Sequence, residues 1–419
     1  LIIKGKTNNI LYKYILTGSS MFKGYKFRLL PNQPQIQKLN QAVGNARFVF
    51  NHFLEMKMKT YQETGISISH NDISALLTQM KKDSNYSWLK ETPATSLIGS
   101  LQNLDAAYRN FFIHNKGFPK FKSKRGKQNF YLSALDLKNS WQNHQCLWIN
   151  PENSKDVQVK LGTLGWFKLN LHREMPESGK IKCAHISKEA NGEWYIAFRT
   201  ELQEAYPETI PVEKAIENSI GIDFGLKTFL TLSNGEQIYS PKHYQTSEKK
   251  LAKLQRSLSK KTKGSNNSLK TKQKLVNLHR KIANQREDYL RKLAYQLASR
   301  FDLITIENLN IQGMSSNHRL AKSVMTSGWA KFVTFLREKC REFGKHLIWT
   351  GRWFASSRII YDTGEYRSNM TLKCRTLTDC HGNQIDRDVN AAKNINYWGQ
   401  HFITTGELLA TKDYLALYS

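Results

Sequence analysis

Ser219-Ile-Gly-Ile-Asp-Phe-Gly225 is the stretch on which the fold turns. Ile220, Ile222 and Phe224 alternate with Ser219, Gly221 and Asp223, which is the period of a strand. Leu230 and Leu232 continue the pattern and Asn234-Gly235 supplies a tight turn, so residues 219–240 read as a hairpin. The acid is the informative residue. A carboxylate beside a buried strand costs of order several kcal/mol unless it is paired, hydrogen-bonded or on a metal.

Two more acids stand in similar places. Glu307 ends the apolar strand Leu303-Ile-Thr-Ile-Glu307, and Asp388 opens the helix that begins in Asp386-Arg-Asp-Val-Asn-Ala-Ala-Lys-Asn-Ile395, with Asp386 or Asp388 able to cap it. Singly, each has an ordinary explanation: backbone amides near Gly221 and Gly225 for Asp223, an arginine partner for Glu307, a cap for Asp388. Together, on strand, strand and helix in that order, they fit an RNase H-like sheet in which three carboxylates meet at one edge. Such a trio can hold two Mg²⁺ ions roughly 3.5–4 Å apart, one activating water and one stabilising a leaving oxygen. Mg²⁺ suits carboxylates because it is hard, seeks oxygen and keeps open water positions for a phosphate.

Between the first two acids lies residue 245–300, long and helical, with sixteen Lys or Arg against Glu248, Glu287 and Asp288. Gly264-Ser-Asn-Asn-Ser268 breaks it into a hairpin of two helices. Leu251, Leu254, Leu258, Leu275, Leu278 and Ile282 form its apolar stripe, which leaves the opposite face cationic. The whole chain shares that bias: 63 Lys plus Arg against 34 Asp plus Glu, a net charge of +29 over 419 residues. A field of this size calls for a polyanion, and nucleic acid binds such proteins through its phosphates. Lys260, Lys261, Lys263, Lys270, Lys272, Arg280 and Arg286 are the candidate phosphate contacts in the hairpin.

Upstream, Met21 to Leu30 alternates aromatic with basic or small residues, a strand with one cationic face, and Pro31-Asn-Gln-Pro34 stops it. Residues 35–115 carry helical spacing. Gly117-Phe-Pro-Lys-Phe-Lys-Ser-Lys-Arg-Gly-Lys127 is a basic loop with interleaved Phe, and Lys120, Lys122, Lys124 and Arg125 are candidate backbone contacts. Residues 128–205 hold several short strands, one pair joined at Asn191-Gly192, and suggest a small barrel that includes the strand at 21–30 and is interrupted by the helices.

Five scattered cysteines and the absence of an uncharged apolar run of about 18 residues point to a reducing, cytoplasmic setting with no membrane partner. The fold class is therefore α+β and multidomain. Residues 1–20 read as an extension outside the fold, 21–34 as the first barrel strand, 35–115 as the helical insertion and 116–206 as the rest of the barrel. Residues 207–354 form a nuclease domain carrying the hairpin, 355–385 an insertion, and 386–419 the final motif and tail.

Phe22-Lys-Gly-Tyr-Lys-Phe-Arg-Leu-Leu-Pro31, Phe118-Pro-Lys-Phe-Lys-Ser123, Gly221-Ile-Asp-Phe-Gly-Leu-Lys227, Thr305-Ile-Glu-Asn-Leu309 and Asp386-Arg-Asp-Val-Asn-Ala-Ala392 resemble segments of the transposon-encoded TnpB family, relatives of the type V CRISPR effectors. The likeness runs over most of residues 21–400, and the last three segments look like the family's three RuvC motifs. The resemblance implies a β-barrel wedge domain with an inserted helical recognition domain, followed by an RNase H-like (RuvC) α/β nuclease domain. It implies Asp223, Glu307 and Asp388 as catalytic residues, a guide RNA, reading of a target-adjacent motif, and cleavage of both strands of target DNA.

One region departs from the family. A four-cysteine zinc module is usual before the last motif, but Ile360, Thr363, Thr378 and His381 stand where its cysteines are expected. Only Cys374, Cys380 and His381 remain there as zinc-type ligands, and two of them are adjacent. A tetrahedral site wants two spaced pairs, so no structural zinc is expected at 355–385. The segment should pack on the sheet through Trp353, Phe354 and Leu372, or be mobile without nucleic acid. The expected activity is RNA-guided, Mg²⁺-dependent DNA cleavage. The rivals are a guide-RNA-dependent DNA-binding regulator that does not cut, and a DDE-type transposase.

Overall fold

The computed structural model describes residues 20–137, 147–150, 152–176, 179–241, 243–310, 313–314, 316, 321, 327–370, 374–378 and 381–418. They fall into two compact units, Ser20–Ala205 and Tyr206–Ser419. Residues 1–19 of the expected extension lie outside the described residues; Ser20 is already in the first strand, opposite Ala205.

The first unit is a seven-stranded antiparallel sheet with three helices. Its strands are β1 (Ser20–Leu29), β2 (Gln128–Ser133), β3 (Leu147–Asn150), β4 (Asn153–Lys160), β5 (Trp166–Asn170), β6 (Lys180–Lys188) and β7 (Trp194–Ala205). The alternation in β1 is real: Tyr25, Phe27 and Leu29 are buried, with Lys26 and Arg28 between them on the open face. The helices are α1 (Gln33–Thr64), α2 (His70–Met80) and α3 (Ala94–His114). Asn32 and Gln35 close a reciprocal capping box at the start of α1. The helical region does not begin a separate body at residue 35. Leu39, Ala42, Val43 and Ala46 of α1 pack in the sheet core, while Val49, Phe53 and Leu54 pack with Ile73, Leu77, Leu97 and Leu101 in a second core.

The expected barrel does not close. The order β2-β6-β7-β1-β5-β4-β3 leaves β2 and β3 at opposite edges, and among the described residues no ladder joins them. Helix α3 covers β2 instead. Gly99 lies so close to Tyr131 that a Cβ would crowd the ring at 2.8 Å, and the outer Ser133 amide donates to Thr95 Oγ1 at 3.0 Å. An edge protected by a helix needs no partner strand.

The second unit is built on a five-stranded sheet of β8 (Ser219–Phe224), β9 (Leu230–Leu232), β10 (Gln237–Ile238), β11 (Leu303–Ile306) and β12 (His346–Trp349), in the order β10-β9-β8-β11-β12. β8, β11 and β12 are parallel, and β9 and β10 are antiparallel to their neighbours. Its helices are α4 (Val212–Glu217), α5 (His243–Ser259), α6 (Asn266–Arg300), α7 (Trp329–Glu342), α8 (Arg387–Thr405) and α9 (Thr411–Leu415), and β13 (Thr376–Thr378) and β14 (Gln384–Asp386) make a short ribbon before α8. Ile220, Ile222, Ile304 and Ile306 face α6 and α7, packing on Leu290, Leu297, Phe332 and Leu336. The opposite face carries α8. Gly221 and Gly399 allow it to lie close: a Cβ on Gly221 would overlap the Ala392 carbonyl, and one on Gly399 would overlap the Thr305 side chain. No helix among the described residues is long and apolar enough to cross a membrane.

Candidate active site

Strand register brings the first two acids together. Leu303 pairs with Ser219 and Ile306 with Ile222, so the next step of the parallel ladder sets Glu307 beside Asp223. Alternation then fixes their direction. Gly221 and Thr305 face α8, and residues two further on share that face. Helix α8 brings the third acid, because Asp388, Ala392 and Gly399 recur at helical spacing along the side turned to β8 and β11. Asp386, not Asp388, is the cap: its Oδ1 accepts the amides of Asp388 at 2.8 Å and Val389 at 3.1 Å.

All three acids are half-buried. The Asp223 and Glu307 carboxyls lie within hydrogen-bonding reach of each other. Burial pushes the Asp223 carboxyl well above the ordinary carboxylate range, and the nearby charges of Glu307 and Asp388 push it further. Burial also raises Glu307, against the bonds from Ser356 and Asp223 that favour its charged form. Asp388 is drawn toward Arg375, 3.9 Å away.

The trio is not a finished metal cage. Among the described residues no group of three or more His, Cys, Asp and Glu is close enough to hold an ion as it stands. The donor set nonetheless fits a hard divalent cation. Two crowded carboxyls whose charged forms burial disfavours, with Arg387 as a nearby positive charge for Asp223, are groups an incoming cation would stabilise as carboxylates.

Sequence reasoning missed Ser356. Its hydroxyl donates to Glu307 Oε1 at 2.8 Å, and it is buried. Nothing in Ala355-Ser-Ser357 marks it, since small polar residues are ordinary between elements. Trp353 is the reverse case. It was expected to pack on the sheet and is 86% exposed, because Phe354 takes the inward position against Trp398 and Tyr414. Leu372 and Cys380 lie outside the described residues. Ile360 is buried, Thr378 is on β13, His381 is exposed in the β13–β14 turn, and Cys374 Sγ donates to the Thr376 carbonyl at 3.2 Å.

The candidate phosphate contacts divide. Lys120, Lys124 and Arg125 are exposed on the loop after α3, and Lys260, Lys263, Lys270 and Lys272 on the α5–α6 hairpin. The four others are engaged by the protein or half-buried. Lys122 is exposed as a residue, but its ammonium lies over the Phe50 ring at 3.9 Å, desolvation lowers its pKa, and Asn51 binds its backbone amide and carbonyl. Lys261 bonds Thr271 and the Asn267 carbonyl across the hairpin. Arg286 is half-buried beneath Gly328, and Arg280 is half-buried on α6.

Comparison with known proteins adds a family. Residues 197–318 match a profile described as a probable transposase of the OrfB_IS605 type, residues 21–65 one described as its helix-turn-helix domain, and residues 329–395 one described as a Cas12f1-like TNB domain. Despite the second description, residues 33–64 form one continuous helix. A protein of Streptomyces pristinaespiralis named a putative RNA-guided DNA endonuclease is 31% identical over 377 residues, covering 89% of this chain and 88% of that one. The Escherichia coli K12 protein of similar name, InsQ, is 29% identical over 402 residues, covering 92% and 94%. Among solved structures, the Cas12f1–sgRNA–target DNA complex aligns with TM-score 0.56 at 15% identity over 87% of this chain and 83% of its own. Cas_phi3 aligns with TM-score 0.52 at 9% identity, covering 93% of each chain. At such identities the structures speak for the fold alone.

Proposed function

The chain belongs to the TnpB family, and from that membership we propose that it is an RNA-guided DNA endonuclease whose cutting centre is Asp223, Glu307 and Asp388. The observation that carries the reading is the Asp223–Glu307 pair: two carboxyls pressed together on a packed sheet face with a third acid in reach. Packing alone does not call for that arrangement, and it disfavours the charged state of both groups. Parallel strands that lead both acids to one edge, with a helix crossing over them, support an RNase H-like, RuvC-type domain. The relatives' names support a guide RNA as partner and double-stranded DNA as substrate.

Two Mg²⁺ ions bound by these carboxylates would supply an activated water and a stabilised leaving oxygen. Asp223 and Glu307 would hold the ions as carboxylates. Among the described residues, Asp388 is met by a long contact to exposed Arg375, which holds it weakly. Exposed Lys120, Lys124, Lys260, Lys263, Lys270 and Lys272 supply phosphate contacts that position the nucleic acid without reading its bases. The sheet and helices of the first unit act as wedge and recognition parts.

Binding without cutting has one observation in its favour, the unfinished metal cage. Sequencing the RNA that co-purifies with the protein, then assaying a matched plasmid with and without Mg²⁺, separates the readings. Linear plasmid only with Mg²⁺, lost in Asp223→Ala, is the expected result. A guide-dependent complex that holds intact plasmid in Mg²⁺ would establish the regulator instead.

A further inference from the structure

The contact between Ser356 and Glu307 sits at the end of a chain of buried polar bonds. The Ser356 carbonyl accepts from Asn394 Nδ2 at 2.8 Å, and the same amide group donates to the Ile359 carbonyl at 2.8 Å. Asn394 Oδ1 accepts from the Tyr414 hydroxyl at 2.9 Å. One turn earlier on α8, Asn390 Nδ2 donates to Ile359 O at 2.6 Å and Asn390 Oδ1 accepts the Tyr361 amide at 2.9 Å. Ser356, Asn390, Asn394 and Tyr414 are all essentially shut off from solvent. The C-terminal segment grips the same stretch from outside. The Ala355 amide donates to Thr411 Oγ1 at 3.2 Å, Phe354 packs edge-on against Tyr414 at 4.9 Å, and Trp398 Nε1 donates to Leu409 O at 2.9 Å.

Buried polar groups lower stability unless every partner is in place, so a satisfied network of this kind fixes one geometry. The geometry fixed here is that of a loop that bonds the acid pair, among the described residues, through Ser356 Oγ to Glu307 Oε1. Glu307 lies one residue past the end of β11, and the loop reaches it through Ser356.

We propose that Ser356 is a positioning residue for Glu307, and that Asn394 and Tyr414 hold it there, so that the C-terminal segment 409–415 sets the geometry of the acid centre. This rests on the reading of Glu307 as a cutting residue. The outer partners of metal-binding carboxylates orient the ligand, and their loss typically lowers metal affinity or activity about 10–100-fold.

The test uses the full chain with its guide RNA and four variants: Ser356→Ala, Ser356→Thr, Tyr414→Phe and Glu307→Gln. Two quantities are read: Mn²⁺ affinity, from the loss of the free-ion magnetic resonance signal without DNA, and kcat and KM for target cleavage. Ser356→Ala should weaken Mn²⁺ binding and lower kcat, each about 10-fold or more, with KM unchanged. Tyr414→Phe should move both the same way by a smaller factor, and Ser356→Thr, which keeps the hydroxyl, should recover part of the loss. Normal Mn²⁺ affinity and kcat in Ser356→Ala, with Glu307→Gln inactive, would overturn the positioning role alone. An early-melting Ser356→Ala whose folded fraction binds Mn²⁺ normally would also overturn it, by making the bond structural. Full cleavage by Glu307→Gln would instead remove the reading of the acid centre.

Discussion

Glu201 on β7 and Asp223 on β8 are both acids on strands, and their surroundings are opposite. Glu201 is met by Lys182 Nζ at 2.5 Å, and that hydrogen bond holds its carboxyl below the ordinary range. Asp223 faces another carboxyl, and burial holds it well above that range. On and beside the first sheet, acids meet cations: Asp156 of β4 with Lys168, and, in the β6–β7 turn, Glu189 with Lys26 and Glu193 with Arg28. The second puts two acids on the packed face and gives them each other. A sheet built only for stability follows the first pattern. The second keeps groups that it would fold more easily without, which is the physical mark of a site.

The largest test of this contrast is removal. Asp223→Ala, Glu307→Ala and Asp388→Ala should each lower guide-directed cleavage by roughly 10³-fold or more, since a lost ligand forfeits several kcal/mol of transition-state stabilisation, about 4 kcal/mol by the rate equation. Guide-dependent target binding should persist. Glu201→Ala should cleave as the parent does, and a dead Glu201→Ala would erase the contrast.

The glycines test the packing behind it. Gly221→Ala should lower stability by about 2–3 kcal/mol in urea unfolding, because the added Cβ meets backbone of α8, which cannot rotate away. Gly24→Ala on β1, where nothing lies within 4 Å, should change it by less than about 0.5 kcal/mol.

A sharper test is pH. A carboxyl raised in the folded state binds more protons folded than unfolded, so its contribution is fully present below the unfolded pKa and is lost as pH rises through the folded one. Metal-free protein should therefore lose thermal stability between acid and neutral pH at the acid centre. Asp223→Asn should flatten that slope while abolishing cleavage, and Mg²⁺ should raise the parent's Tm more at neutral than at acid pH. A metal-free Tm at the same pH slope in Asp223→Asn would mean that the pair is not strained.

The smallest effect concerns the basic loop. Lys120→Ala with Lys124→Ala should reduce the slope of log affinity against log salt by about 1.8 for duplex contacts, and leave sequence preference alone. Lys122→Ala should scarcely change the slope, because its ammonium is spent on Phe50, and should instead loosen the loop.

Much of this was legible in the chain. Asp223, Glu307 and Asp388 were visible because a charge on an apolar period is a local contradiction that needs no partner to be seen. The hairpin break at Gly264 and the turns at Gly192 and Gly235 were visible because glycine alone takes their positive φ cheaply, 89°, 86° and 89°. The barrel was not, since closure depends on whether a strand or α3 reaches the edge of β2, and alternation within a strand is the same in either case. Trp353 and Phe354 are adjacent aromatics whose sequence does not say which turns inward. Periodicity and charge are short-range properties, so the sequence by itself determined the elements, the acids and the cationic bias. That Asp386 rather than Asp388 caps α8 was settled locally, by its bonds to the Asp388 and Val389 amides. The tertiary structure alone decided that Ser356 touches Glu307 and that Asp223 meets Glu307, because each depends on which surfaces, far apart in the chain, pack within hydrogen-bonding distance.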